Sequence, residues 1–374
     1  MDAQDFSRLA REISSEDRLR YSRLNRDQVY ALSPQEKLRF FFSLQVRHAK
    51  LRMVEARLNR CLAPFSEERL IFLVGPTGAG KTSFSEYFLG AELASEEAGK
   101  IPFIMIKVPA LGPRKIPWSG LYRDMLHAGG EPLIDSKRAS FVQDGRLQTV
   151  PASQKSALFS LREAVVSMLD NRGTLLVALD EAFHLLRSGD PVVVMDSIKS
   201  LADAAPCQFL LIGSYDLLEF VNSYAQIGRR GGLIYFDRYR AKIFDKIGNL
   251  VANVKDVEDF GKGIRKLETR WPLESRPDFY AAREILLEAT LGIFGLLKEF
   301  MMNCLDMQLK NGGKWQKGFI KESLKSAYAI NAIREEVEKG EERLTEMGYG
   351  CVALSDEKVE TLTKLMTGSM PVEE

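Results

Sequence analysis

Gly75-Pro76-Thr77-Gly78-Ala79-Gly80-Lys81-Thr82 constrains this chain more than any other stretch. It fits the phosphate-binding pattern G-x-x-x-x-G-K-[ST] and has the flanking elements that this pattern needs. The apolar run Leu70-Ile71-Phe72-Leu73-Val74 comes directly before it and reads as a strand, and a helical stretch begins near Thr82. Without a Cβ, glycine lets backbone N–H groups turn inward around a polyphosphate. The following helix adds its positive N-terminal end. In this arrangement Gly75, Pro76, Thr77, Gly78, Ala79, Gly80 and Ser83 cradle the phosphates, Lys81 reaches the β- and γ-phosphates, and Thr82 holds Mg²⁺. A chance glycine turn would account for the loop but not for its context. The chain is therefore expected to bind a nucleoside triphosphate, ATP, with Mg²⁺.

Four further apolar runs follow: 102–108, 174–179, 208–212 and 233–236. Their hydrophobicity is continuous rather than alternating, which predicts strands buried on both faces and hence a mainly parallel sheet. Helical stretches between them predict a doubly wound α/β domain. Residues 34–62 read as one helix opened by Ser33-Pro34 and closed before Pro64. Residues 1–33 are polar and weakly periodic. Residues 129–155 read as a long, turn-rich connection carrying Lys137 and Arg138. After about residue 245 the pattern turns helical, with expected helices over 279–290, 291–307, 318–329 and 333–347.

Composition narrows the class. The net charge of +1 conceals an acidic end: residues 335–374 carry eleven Asp or Glu against four Lys or Arg, so the remainder is about +8. That allows a local basic face for nucleic acid, but the chain is not strongly basic overall. Cys61, Cys207, Cys304 and Cys351 are scattered without metal-ligand spacing, so a reducing cytoplasm is expected. No apolar run approaches the roughly 20 residues of a membrane span.

The third run ends in Asp180-Glu181, about 100 residues after the glycine loop. Carboxylates at a strand's C-terminal end lie beside the phosphate site of such a sheet. Asp180 is expected in the Mg²⁺ shell with Thr82, and Glu181 to polarise a water for attack on the γ-phosphorus. The alternative is a helix N-terminus that favours acids. Ser214, after the fourth run, can bond the γ-phosphate or that water. His184 reads as a packed helix histidine rather than a ligand. Arg229 and Arg230, before the fifth run, are either solvated or project into a neighbouring subunit's site to stabilise transition-state charge. Arg238 and Arg240 are further basic candidates.

With these residues in place, the chain resembles an AAA+ ATPase, and within that class the TnsC/TniB group of transposition regulators, with MuB a more distant functional relative. The narrower likeness rests on Val108-Pro109-Ala110 followed by residues 118–126, on Ile198-Lys199-Ser200-Leu201 with Gln226-Ile227-Gly228-Arg229-Arg230, and on residues 289–298. The resemblance implies a five-stranded AAA+ core over 67–250, entered through an N-terminal arm (1–33) and helix (34–66). A helical lid over 251–347 and an acidic tail over 348–374 follow. It implies ATP-dependent assembly on double-stranded DNA as a ring or helical filament, links to a target-selection factor and a transposase, and disassembly on hydrolysis in a bacterial cytoplasm. Arg114 and Lys115 are its best DNA-contacting candidates, with Lys137 and Arg138 below them. One departure stands out: Gly295 falls near the place where related ATPases carry a nucleotide-sensing lid arginine, with Lys298 nearby. Two other classes compete: an ATP-driven signalling or defence scaffold, and a replication initiator or helicase loader.

Overall fold

The apolar runs pair as neighbours in one parallel sheet because each presents side chains to two cores. In a computed structural model that describes residues 13–63, 66–110, 118–134, 140–143, 146–149, 154–188, 190–222, 231–244 and 249–349, the strands are β1 (Leu70–Val74), β2 (Phe103–Lys107), β3 (Ser140–Gln143), β4 (Arg146–Thr149), β5 (Leu176–Asp180), β6 (Gln208–Gly213), β7 (Gly231–Tyr235), β8 (Lys242–Phe244) and β9 (Leu250–Ala252). Five of them form a sheet of order β2-β5-β6-β1-β7, parallel throughout. β3–β4 and β8–β9 are antiparallel hairpins. The first hairpin replaces part of the loop expected over 129–155; Lys137 and Arg138 lie outside the described residues. On β1, Leu70, Phe72 and Val74 pack into one layer with Met125, Met195 and Ile198. Ile71 and Leu73 pack into the other with Leu51, Val54, Leu58 and Phe84. This two-sided burial is why the runs lack alternation.

The helices are α1 (Ser15–Arg23), α2 (Arg26–Ala31), α3 (Pro34–Ser43), α4 (Ala49–Cys61), α5 (81–92, π-helical over Phe84–Leu89), α6 (Trp118–Ala128), α7 (Gln154–Asn171), α8 (Pro191–Ala204), α9 (Leu218–Asn222), α10 (Val254–Glu268), α11 (Arg283–Ala289), α12 (Phe294–Lys310), α13 (Gly318–Ser323) and α14 (Ala327–Glu346). Three differ from the sequence expectation. The polar arm before residue 33 contains α1 and α2, each started by a capping box: Ser14 with Asp17, and Asn25 with Gln28. The single helix expected over 34–62 is α3 and α4, broken where His48 caps α4. The last expected pair meets earlier, because α13 ends at Ser323 and Ser326 caps α14.

Helices α1–α3 belong with the C-terminal helices, not the sheet. Tyr21, Val29, Phe40 and Phe41 share a core with Phe260, Ile264, Trp271, Phe300 and Leu305 of the α10–α12 region. Lys298, which the sequence places near the expected lid-arginine position, points into this junction. Its ammonium donates to the carbonyl oxygens of Phe42 (2.6 Å) and Leu44 (2.7 Å), which end α3. Burial lowers its pKa to about 7.

A partly buried ion-pair network joins α4, the segment after β7 and the lid. Lys50 of α4 bridges Asp237 (3.0 Å) and Asp256 of α10 (3.1 Å). Arg240 reaches Asp237 (2.8 Å) and Glu341 of α14 (2.9 Å), and Arg238 reaches Glu341 at 2.7 Å. Arg238 and Arg240 are thus committed within their own chain, unlike the free basic candidates read from sequence. Removing one member of a buried pair strands its partner, typically at about 3–5 kcal/mol. Lys50→Met is predicted to lower stability by about 3 kcal/mol, measured as a fall in the urea midpoint; an unchanged midpoint would show that the network is not holding the lid.

Candidate nucleotide-binding site

The sheet order makes the site. β6 lies between β1 and β5, so the phosphate loop after β1, the acids ending β5 and Ser214 after β6 open on one edge. They line a cleft of about 660 Å³ together with Thr77, Gly78, Gly80, Lys81, Thr82 and Ser83 from the loop and α5. Gly78 and Gly80 take φ of 82° and 99°, left-handed values that turn the loop around its centre. Gly75 passes so close to the backbone after β7 that a Cβ would lie 2.6 Å from the Phe236 carbonyl oxygen.

The donor set fits a Mg²⁺-bound triphosphate. Thr82 Oγ1 donates to Asp180 Oδ2 at 2.8 Å, so the hydroxyl and carboxylate expected to serve the metal already meet. Lys81 Nζ donates to the loop's own carbonyl oxygens, Gly75 and Pro76, both at 2.8 Å. Desolvation lowers the Lys81 pKa to about 8, against the opposing charges of Asp180 and then Glu336. An ammonium held on backbone carbonyls near a neutral pKa is one that an anion can take over.

Glu181 is held away from such work. Its backbone sits at φ 53°, costly for a non-glycine residue. It is fixed there by its N–H bonding Asp180 Oδ1 at 2.9 Å. Its carboxylate pairs with Lys107 at the end of β2 (2.9 Å) and faces His184 Nε2 at 3.4 Å. Lys107 is a site residue that the sequence reading missed. Ser214 Oγ donates to Asp216 Oδ2 at 3.3 Å. His184 contacts Glu181, and among the described residues no cluster of His, Cys, Asp and Glu forms a metal site.

Two helices roof the cleft. The Gly295 N–H at the start of α12 bonds the Gly78 carbonyl at 3.0 Å, and a Cβ on Gly295 would sit 2.1 Å from that oxygen. A side chain there cannot coexist with this contact. From α14, Glu336 Oε1 accepts a hydrogen bond from Thr77 Oγ1 at 3.1 Å. Sequence reasoning missed this residue too. Arg229, Arg230, Arg114 and Lys115 lie outside the described residues. No helix among the described residues is long and apolar enough to cross a membrane.

Comparison with known proteins fits this geometry. Residues 65–221 match the family model described as AAA domain. No curated protein matches the chain. Among solved structures, the chain is similar to the Aeropyrum pernix ORC2 protein (ADPNP–ADP complexes) at 13% identity, covering 87% of this chain and 86% of that one, TM-score 0.48. It is also similar to the Aeropyrum pernix ORC1 protein in complex with DNA, at 16% identity over 75% of this chain and 65% of that one, TM-score 0.47. A third is the Thermotoga maritima RuvB Holliday junction branch migration motor, at 13% identity over 73% and 67%, TM-score 0.39. At these scores the likeness carries no functional weight. The strand order, the phosphate loop and the family match agree: residues 65–221 match the AAA domain family, within an AAA+-like P-loop α/β fold with a helical C-terminal region.

Proposed function

We propose that this chain is an ATP-hydrolysing AAA+ ATPase that uses ATP to assemble with copies of itself on double-stranded DNA. The observation that carries the nucleotide part is the meeting of Thr82 with Asp180 beside a lysine parked on loop carbonyls. Bound Mg²⁺·ATP would supply a phosphoryl centre already polarised by the metal. Lys81 exchanges its carbonyl partners for phosphate oxygens. Thr82 and Asp180 would hold the metal. Glu181, once released from Lys107, would take a proton from a water whose oxygen bonds the γ-phosphorus as the bond to the departing ADP oxygen breaks, and Ser214 would help to orient that water.

Assembly and DNA binding are supported by the resemblance to transposition regulators, by Arg229 and Arg230 in one of its matching stretches, and by Arg114 and Lys115 in the basic loop after the second strand. Target selection and transposase recruitment rest on the short residue matches alone.

Two experiments test this reading. Lys81→Ala should abolish ATP binding and ATP-dependent assembly on duplex DNA together, whereas Glu181→Gln should bind ATP and cut turnover by about 10²-fold or more. Calorimetry, phosphate release and electron microscopy give the three readouts. Assembly that needs ATP but not DNA would replace the proposal with the signalling scaffold. A discrete, non-polymerising complex on DNA would replace it with the initiator or loader class. Separately, Lys107→Ala should raise hydrolysis by up to about fivefold, since an exposed ion pair holds at most about 1 kcal/mol. A slower variant would mean that Lys107 assists the reaction instead of restraining Glu181.

A further inference from the structure

Helix α14 is attached at one level and reaches into the cleft at another. Its attachment is extensive. Val337 and Leu344 are buried in the core. Gly340 lies flat on Tyr215, where a Cβ would be 2.1 Å from the ring. Glu341 accepts hydrogen bonds from Arg238 Nε (2.7 Å), Arg238 Nη2 (3.0 Å) and Tyr235 OH (3.0 Å). Glu336, just over one turn earlier, lines the nucleotide cleft and holds Thr77 of the phosphate loop.

The cleft lining carries four carboxylates, Asp180, Glu181, Asp216 and Glu336, against one lysine. Asp180 serves Thr82, Glu181 is paired with Lys107, and Asp216 accepts from Ser214. Glu336 is engaged with the phosphate loop itself, through Thr77. It brings negative charge to a site built for an anion, from a helix that is not part of the sheet.

We infer that α14 is a strap that reads the charge of the bound nucleotide, with Glu336 as the residue that discriminates triphosphate from diphosphate. This rests on the nucleotide-site reading above. While the strap is seated, Glu336 opposes each added phosphate charge and competes for Thr77, so the diphosphate is tolerated and the triphosphate is disfavoured. By linkage, ATP must loosen the strap as much as the strap weakens ATP. Loosening also releases Arg238 from Glu341 and leaves Arg240 to Asp237 alone, so the strap couples nucleotide state to an otherwise neutralised cation.

The test uses the full chain with Mg²⁺ and either ADP or ATP, in calorimetry and hydrogen exchange. Glu336→Gln should tighten ATP about 5- to 10-fold and ADP less than about twofold. Gly340→Ala, which unseats the helix and leaves Glu336 in place, should shift the ATP-to-ADP ratio in the same direction. Exchange over 327–346 should rise in the unaltered chain with ATP and not with ADP. An unchanged or lowered ratio in Glu336→Gln overturns the inference; weaker ATP binding would mark Glu336 as a group that helps hold the cation. An unaltered chain that binds neither nucleotide overturns the nucleotide-site reading itself.

Discussion

The hydrogen bond between Thr82 and Asp180 is the contact on which the rest of the site depends. The two residues are far apart in sequence: Thr82 opens the helix after β1 and Asp180 ends β5, and those strands are not neighbours. They meet because β6 fills the gap between β1 and β5, leaving both strand ends open on one edge of the sheet. Every other feature is arranged around that junction. Lys81 folds back on its own loop, Glu181 is drawn aside by Lys107, and the start of α12 and the middle of α14 close the top.

That closure follows from electrostatics as much as from apolar packing. The lid and the N-terminal helices share an aromatic core, but their position over the sheet is set by Lys50, Asp237, Arg240, Asp256 and Glu341. Desolvation offsets much of the attraction within such partly buried pairs. A network that spans four elements and ends on α14 is suited to carry a change at the phosphates into a change of helix position. Lys298 does the same for the N-terminal side, clamping the end of α3 to α12.

The phosphate loop, the two acids and five strands were legible because each depends on local chemistry: glycines in a tight turn, carboxylates at a strand end, and apolar runs buried on both sides. Strand order was not, since nothing in a run of Leu, Ile and Val names its neighbour. The helices before residue 33 were hidden by their polarity. Tyr21 and Val29 are single anchors in charged stretches, and the visible signal was the spacing of Ser14 to Asp17 and Asn25 to Gln28. The break between α3 and α4 carries no Pro or Gly, so only His48 acting as a cap marks it. Glu336 and Lys107 read as solvated charges; their roles come from tertiary placement that no local pattern records.

The account turns on the claim that this cleft receives the phosphates and that Lys81 changes partners when it does. A crystal structure with Mg²⁺ and a slowly hydrolysed ATP analogue tests this most directly. The account predicts Lys81 Nζ moved from the Gly75 and Pro76 carbonyls onto a phosphate oxygen, with Thr82 and Asp180 around the metal. An analogue bound elsewhere, with Lys81 still on the loop carbonyls, would contradict it.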